Sequence, residues 1–148
     1  MQVTFNIPHA FGPGSNQAMN AETLEAMEEL LIGINLATLR LAKRFKKSFP
    51  ALYRSGVVYG RTTLWEPIPA LYQRGFGDCK SLAAARIAEL RFNGIPAKPV
   101  HRFVRNKDDS FDYHILVQTP KGFEDPSRLL GMGQNENSQL IPNKEFRI

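Results

Sequence analysis

The stretch that decides the fold is GFGDCKSLAAARIAELRFNGIPA, residues 75–97. It contains the only cysteine of the chain, Cys79, at the point where a glycine-rich turn gives way to a run of strong helix formers. Gly94 followed by Pro96 predicts where this helix ends, because glycine suits the position after a helix and proline cannot continue it. The pattern therefore predicts a helix that begins at Cys79.

Downstream of this helix the sequence predicts a run of antiparallel strands. Apolar and polar residues alternate in AKPVHRFVR (97–105) and in FDYHILVQ (111–118), and FEDPS (123–127) predicts a short third strand. NKDDS (106–110) and TPKG (119–122) have the composition of turns. The order predicts an antiparallel meander, whose register depends on the second turn: a tight turn would pair Thr119 with Gly122, whereas a three-residue bulged loop would shift the pairing by one residue.

Upstream, residues 1–20 are interpreted as an extended arm and loop, and residues 21–48 as a long helix capped by Asn20 and ended by Pro50. Five residues of this helix fit one apolar stripe: Leu24, Met27, Leu31, Ile34 and Leu41. SGVVYGR (55–61) predicts a short strand, and EPIPALYQRG (66–75) predicts a loop followed by a short helix.

These elements predict one domain over residues 1–148, with a core at 70–130 and a polar tail at 131–148. The predicted fold class is α+β, in which a central helix with cysteine at its N-terminus packs on a small antiparallel sheet.

Composition limits the function classes. A single cysteine excludes a disulfide framework and a cysteine-rich zinc site, and the histidines and carboxylates lack metal-ligand spacing, so we expect neither metal nor cofactor. The N-terminus lacks the features of a signal peptide and no apolar run could span a membrane, which favours a cytoplasmic protein. The net charge is +5, but the basic run RLAKRFKK (40–47) is more typical of a solvated helix end than of a nucleic-acid contact.

Cys79 has two interpretations. A lone cysteine is usually a buried, inert residue. A cysteine at a helix N-terminus, however, lies beside the positive end of the helix dipole and free backbone N–H groups, which predicts a lowered thiol pKa. Gly75 and Gly77 would let a substrate approach closely, whereas Asp78 is a candidate helix cap.

A cysteine nucleophile needs a base and a group that orients the base. The candidate bases are His9 in the N-terminal loop and His101 and His114 on predicted strands. If Thr119 pairs with Gly122, His114 and Asp125 become diagonal neighbours on one face of the sheet. Asp112 is a rival orienting group, since it lies two residues from His114 on the same face.

Three motifs together, GDCKSLAAARIAELRFNGIPAKPV, DYHILV and FEDPS, resemble the transglutaminase-like superfamily of papain-type enzymes over roughly residues 70–130. The resemblance implies a Cys-His-Asp triad in which Cys79 is the nucleophile, His114 the general base and acid, and Asp125 the orienting group. It also suggests Gln73 or Trp65 as oxyanion donors, although a tryptophan such as Trp65 is more often a core residue than an oxyanion donor.

The wider stretch YRSGVVYGRTTLWEPIPALYQRGFGDCKSLAAARIAELR also resembles small transglutaminase-like proteins encoded in phage genomes. Two function classes follow from these resemblances. One is a cysteine protease, amidase or cross-linking acyltransferase that acts on a peptide or a glutamine side chain. The other is a structural or assembly protein of a phage particle, located in the virion, whose partners are other phage structural proteins and whose fold is a non-catalytic interaction module.

Overall fold

The computed structural model describes residues 17–133 except 106, 109 and 110, and it describes no side chains for 17–20, 103–105, 111 and 112. The predicted N-terminal arm and polar tail fall largely outside this part of the chain. The described helices are α1 (Gln17–Arg44), α2 (Ile68–Arg74), α3 (Cys79–Phe92) and α4 (Pro126–Leu129). The described strands are β1 (Val58–Tyr59), β2 (Phe76–Gly77), β3 (Lys98–Arg105), β4 (Phe111–Thr119) and β5 (Gly122–Glu124).

The limits of α1 differ from the predicted ones. The helix already includes Gln17, so Asn20 lies inside it and the predicted cap at Asn20 is wrong. It ends at Arg44 rather than at Pro50, because the backbone turns at Lys46, which has a positive φ of 56°. The amide of Lys47 donates to the carbonyl of Ala42 (2.8 Å) and closes this last turn. Proline was therefore not needed to end the helix.

The single apolar stripe predicted for α1 is also wrong, because the helix has two apolar faces. Leu24 and Leu31 are buried in the core, but Ile34 and Leu41 are 41% and 54% exposed. Asn35, which is fully buried, belongs to the core face and accepts a hydrogen bond from the amide of Ile68 (2.8 Å). The core face thus includes a polar residue, which the hydrophobic pattern does not identify.

Helix α3 forms the centre of the core. Its alanines 83, 84, 85 and 88 are fully buried and let α1 and the sheet approach closely. The helix ends as predicted: Gly94 has a φ of 78°, its amide donates to Arg91, and the amide of Ile95 donates to Leu90 (3.0 and 2.9 Å). These two bonds form a Schellman motif, which satisfies carbonyls that the helix end would leave unpaired.

The larger sheet is antiparallel in the order β3-β4-β5, and the α+β fold class is confirmed. Thr119 pairs with Gly122 and Val117 with Glu124, so the second hairpin adopts the tight-turn register of the two that the sequence left open. A second, parallel sheet joins β1 to β2 and was not predicted. No described helix is long and apolar enough to cross a membrane.

Candidate active site

Cys79 is the first residue of α3 and lies at the edge of β4. Its side chain is 9% exposed, and its Sγ donates to the carbonyl of Tyr113 at 3.8 Å. The β4–β5 ladder extends only from Val117 to Thr119, so β5 does not reach this part of the β4 edge. Cys79 and His114 both line a cavity of about 750 Å³. The thiol therefore lies between the helix start and the strand that carries the histidine.

His114 and Asp125 are hydrogen-bonded inside this cavity. The Nε2 of His114 lies 2.8 Å from Oδ2 of Asp125, and the Asp125 side chain is only 2% exposed. Asp125 is not on a strand: it is the N-cap of α4, where its Oδ1 accepts a hydrogen bond from the amide of Arg128 (3.2 Å). The contact uses Nε2, so Nδ1 is the ring nitrogen left to exchange a proton with a thiol.

The other predicted candidates occupy different positions. His101 does not line the cavity, and its ring contacts the hydroxyl of Tyr113. Burial lowers the pKa of His101 from its ordinary value of 6.5, an effect that Glu25 and Glu29 oppose. Asp112 pairs with Val104 in the sheet, but its side chain lies outside what is described, as does the whole of His9. Among the described residues no group of His, Cys, Asp or Glu could hold a metal ion.

A family model agrees with this geometry. The model described as the transglutaminase-like superfamily matches residues 37–122, which is more than half of the chain. The chain belongs to the transglutaminase-like superfamily. No curated protein and no solved structure matches it significantly. The matched range includes Cys79 and His114 and ends just before Asp125, which the structure places in contact with His114.

The thiol of this transglutaminase-like domain is not activated in the way the sequence suggested. The expectation of a lowered pKa is wrong, because burial of the Cys79 side chain raises its pKa from 9.0 to about 12. The neighbouring charge of Asp78 raises it further, and only a backbone hydrogen bond from Ile115 and the charge of Lys80 oppose these effects. Desolvation and the charge of Asp78 outweigh these two effects, so Cys79 holds its proton near neutral pH.

Asp78 occupies the N-cap position of α3, but its side chain makes no capping hydrogen bond. Its Oδ2 instead contacts the Nζ of Lys80, which also donates to the carbonyl of Thr62 (2.9 Å). Burial raises the pKa of Asp78, and the hydrogen bond from Lys80 opposes the shift.

The two glycines before Cys79 serve the fold rather than the approach of a substrate. Gly75 ends α2 in the left-handed region, with a φ of 85°. Gly77 is buried, and a Cβ there would lie 2.6 Å from Cδ1 of Leu71, a fully buried core residue. Neither glycine lines the cavity. Their role is to bring the chain tightly from α2 into α3.

Neither predicted oxyanion donor lines the cavity. Gln73 is exposed on α2, and the ring of Trp65 packs against the core with the Nζ of Lys80 5.6 Å from its centroid. The structure instead brings Tyr59 into the cavity, because β1 pairs Tyr59 with Gly77, two residues before Cys79. Burial, and then the nearby Cys79, raise the pKa of Tyr59, so its hydroxyl remains a hydrogen-bond donor.

A buried ion pair joins the two halves of the site and was also missed. Arg86 of α3 donates to Oε1 of Glu124 (2.6 Å), the residue directly before Asp125. It also donates to Glu89 (2.7 Å), which in turn accepts from the amide of Leu52 (2.9 Å). Glu124 is 1% exposed. The helix that carries Cys79 is thereby tied to the strand that delivers Asp125.

Proposed function

We propose that this domain catalyses thiol-dependent acyl transfer from a peptide or glutamine-type amide, with Cys79 as nucleophile, His114 as general base and acid, and Asp125 as the orienting group. The observation that carries the proposal is the 2.8 Å contact between His114 and Asp125 in the cavity that Cys79 also lines. Membership of the transglutaminase-like superfamily supports it. A nucleophile, its base and the group that orients the base form the arrangement that covalent catalysis requires.

The mechanism must begin from a neutral thiol, since burial keeps the pKa of Cys79 high. His114 takes the thiol proton as the sulfur attacks the amide carbonyl, and Asp125 holds the ring and stabilises the imidazolium. The oxyanion is stabilised by the backbone N–H of Cys79 and the hydroxyl of Tyr59. His114 then gives its proton to the nitrogen of the leaving amine as the C–N bond breaks, which leaves a thioester on Cys79.

The thioester is released by water or by a second amine, and His114 removes a proton from whichever attacks. Water makes the protein a protease or amidase, and an amine makes it a cross-linker. Both routes release ammonia from a glutamine peptide when the thioester forms, so the two outcomes are separated by identifying the peptide product with and without a labelled primary amine. Incorporation of the label indicates transamidation, whereas a free glutamate product indicates hydrolysis.

The test of the proposal compares two strand histidines. We expect His114→Ala to lower kcat/KM for the peptide by about 10²–10⁴-fold, because it removes the general base. His101→Ala is the matched control, because His101 lies on the neighbouring strand but outside the cavity. Cys79→Ser sets the background rate. Equal rates for wild type and Cys79→Ser, or equal losses for both histidine variants, would contradict the proposal.

A second candidate, the non-catalytic assembly module raised above for a phage particle, is favoured by one feature of α1. Leu30, Ile34, Leu41 and Phe45 are exposed and recur at intervals of four, seven and four residues, so they lie on one outward face. Glutamates 22, 25 and 29 are exposed in the first half of the helix, and Arg40, Lys43 and Arg44 in the second. We propose that a second copy of the chain covers this face in antiparallel orientation, which brings acid against base.

Sedimentation of the purified protein at increasing concentration tests this second candidate. We expect a dimer that Leu41→Glu abolishes, because the substitution places a charge in the apolar contact. Leu64→Glu, at an exposed leucine outside α1, is the matched control and should leave the dimer intact. A protein that remains monomeric at every concentration would contradict the dimer.

A further inference from the structure

Three arginines line the cavity, and each comes from a different part of the fold. Arg61 follows β1, Arg102 is on β3 and Arg128 is on α4. The cavity has no lysine among its described lining residues. These arginines are up to 67 residues apart in the chain, so the positive lining is produced by the fold rather than by one basic run.

Arg102 lies beside the proposed general base, because the strand pairing places it directly opposite His114 across the β3–β4 ladder. Directly opposed residues of an antiparallel pair point to the same face, with Cβ atoms roughly 5 Å apart. Arg102 is exposed, whereas His114 is half-buried. A guanidinium group thus extends outward from the position of the general base.

The other two arginines approach from the remaining sides. The Nε of Arg128 lies 3.8 Å from Oδ2 of Asp125, and its side chain is 42% exposed. Arg61 is exposed and lies two residues after Tyr59, the candidate oxyanion donor. One arginine therefore lies near each of three residues of the proposed mechanism: Arg102 near His114, Arg128 near Asp125 and Arg61 near Tyr59.

The two carboxylates among the described lining residues offset the three arginines only in part, through the 3.8 Å contact between Asp125 and Arg128. Asp125 is buried at the base of the cavity with His114, and Asp78 contacts Lys80, a further cation. Their side chains are 2% and 16% exposed, so both are far less exposed than that of Arg128. Among the described lining residues the three arginines outnumber the two carboxylates, and both carboxylates are more buried than Arg128.

We propose that this cavity binds acidic substrates, namely peptides that carry a carboxylate next to the amide that reacts. The proposal rests on the acyl-transfer function and names its substrate class. A guanidinium group holds a carboxylate through two parallel hydrogen bonds, so arginines give both affinity and a fixed orientation. The ordinary alternative is that the arginines are solvated surface cations of a protein with net charge +5.

Binding to Cys79→Ala protein tests the substrate class without requiring turnover. The probes are a fluorescein-labelled peptide with glutamates on both sides of a central glutamine, and its counterpart with glutamines in place of those glutamates. By fluorescence anisotropy at low salt we expect the acidic peptide to bind about tenfold more tightly. The difference should shrink as salt is raised, because the interaction is between charges.

Arg102→Gln is expected to weaken binding of the acidic peptide about fivefold and to leave the neutral peptide unchanged. Arg40→Gln is the matched control, because Arg40 is exposed on α1 and outside the cavity. Equal binding of the two peptides, or equal losses in the two arginine variants, would overturn the proposal. Wild-type turnover without a preference for the acidic peptide would overturn the substrate class alone. Preferential binding of the acidic peptide without turnover would contradict the acyl-transfer function, but it would support a binding site for acidic peptides.

Discussion

Cys79 is held as a neutral thiol between the start of a helix and the edge of a strand. Its burial, its contact with the carbonyl of Tyr113 and the nearby Asp78 all favour the protonated form. Such a thiol reacts only when a base removes its proton during the attack. The chemistry proposed for this site therefore depends on His114 more strongly than it would in a site with a preformed thiolate.

Alkylation by iodoacetamide measures this property of Cys79. With a pKa of about 12, the thiolate fraction should rise about tenfold with each pH unit from pH 7 to 10, and the rate of alkylation should rise with it. The control is Cys79 in the urea-unfolded chain. Its alkylation rate should stop rising once the pH exceeds the ordinary pKa of a cysteine. A rate that is already constant below pH 8 in the folded protein would show a preformed thiolate and contradict this account.

The hydroxyl of Tyr59 is proposed to stabilise the oxyanion, and a single substitution tests that role. Tyr59→Phe removes only the hydroxyl, so we expect kcat/KM for the glutamine peptide to fall about 10²–10³-fold through loss of an oxyanion donor. Tyr72→Phe is a matched control, since that hydroxyl donates to the carbonyl of Pro50 (2.9 Å) outside the cavity. An unchanged rate for Tyr59→Phe would remove Tyr59 from the mechanism.

At the scale of elements, the site is made by the contact between α3 and the β4–β5 hairpin. Glu124 and Asp125 are consecutive, yet Glu124 bonds to Arg86 of α3 while Asp125 bonds to His114 of β4. Successive residues at the end of a strand point to opposite sides, which explains how one short segment contacts both partners. The ion pair thus fixes the position from which Asp125 reaches the histidine.

Arg86→Met should destabilise the fold, because it leaves Glu124 buried without its cation. We expect the free energy of unfolding to fall by about 3–5 kcal/mol, measured by urea denaturation. Arg40→Met, at an exposed position of α1, should change it by less than about 0.5 kcal/mol. A loss for Arg86→Met no larger than for this control would mean that the ion pair does not hold the hairpin.

The hairpin was predictable from the sequence, whereas the β1–β2 pairing was not. The register between Thr119 and Gly122 follows from a local turn, and the placement of Asp125 beside His114 follows from that register. Tyr59 reaches the cavity only because Val58 and Phe76 pair in parallel across an intervening helix. Two-residue strands carry no readable alternation, so the sequence contained no signal for Tyr59.

At the scale of the whole molecule, one buried acid couples stability to pH. Glu28 of α1 is fully buried, and its two oxygens have no hydrogen-bond partner among the described residues. Burial, followed by the charge of Asp78, raises its pKa well above 4.5. The folded protein holds this proton more tightly than the unfolded chain, so the stability it contributes is present below pH 4.5 and is lost as pH rises through the folded-state pKa.

Glu28→Gln removes this titration while keeping the shape of the side chain. We expect the free energy of unfolding of the variant to decline less between pH 5 and 8 than that of wild type, as measured by urea denaturation. Glu25→Gln, at an exposed position of the same helix, should follow wild type. Parallel pH profiles for Glu28→Gln and wild type would contradict the role given to burial.

The same burial explains which site properties the sequence could reveal. The order and spacing of Cys79, His114 and Asp125 could be recognised from the sequence motifs. The high pKa of Cys79 was not, because it depends on burial of the thiol beside Tyr113 of β4 and on the charges of residues from other elements, such as Glu28. The outward apolar face of α1 was missed for a related reason, since a helical pattern does not distinguish a core-facing stripe from an exposed one.

Formation of a covalent acyl adduct tests the central claim most directly. Wild-type protein is treated with p-nitrophenyl acetate, and the adduct is followed by intact mass and mapped by peptide fragmentation. We predict one acetyl group per chain on Cys79, removable by hydroxylamine as expected for a thioester. The adduct should form about 100-fold more slowly in His114→Ala and at the wild-type rate in His101→Ala. An adduct found on lysines instead of Cys79, or formed equally fast without His114, would contradict the account.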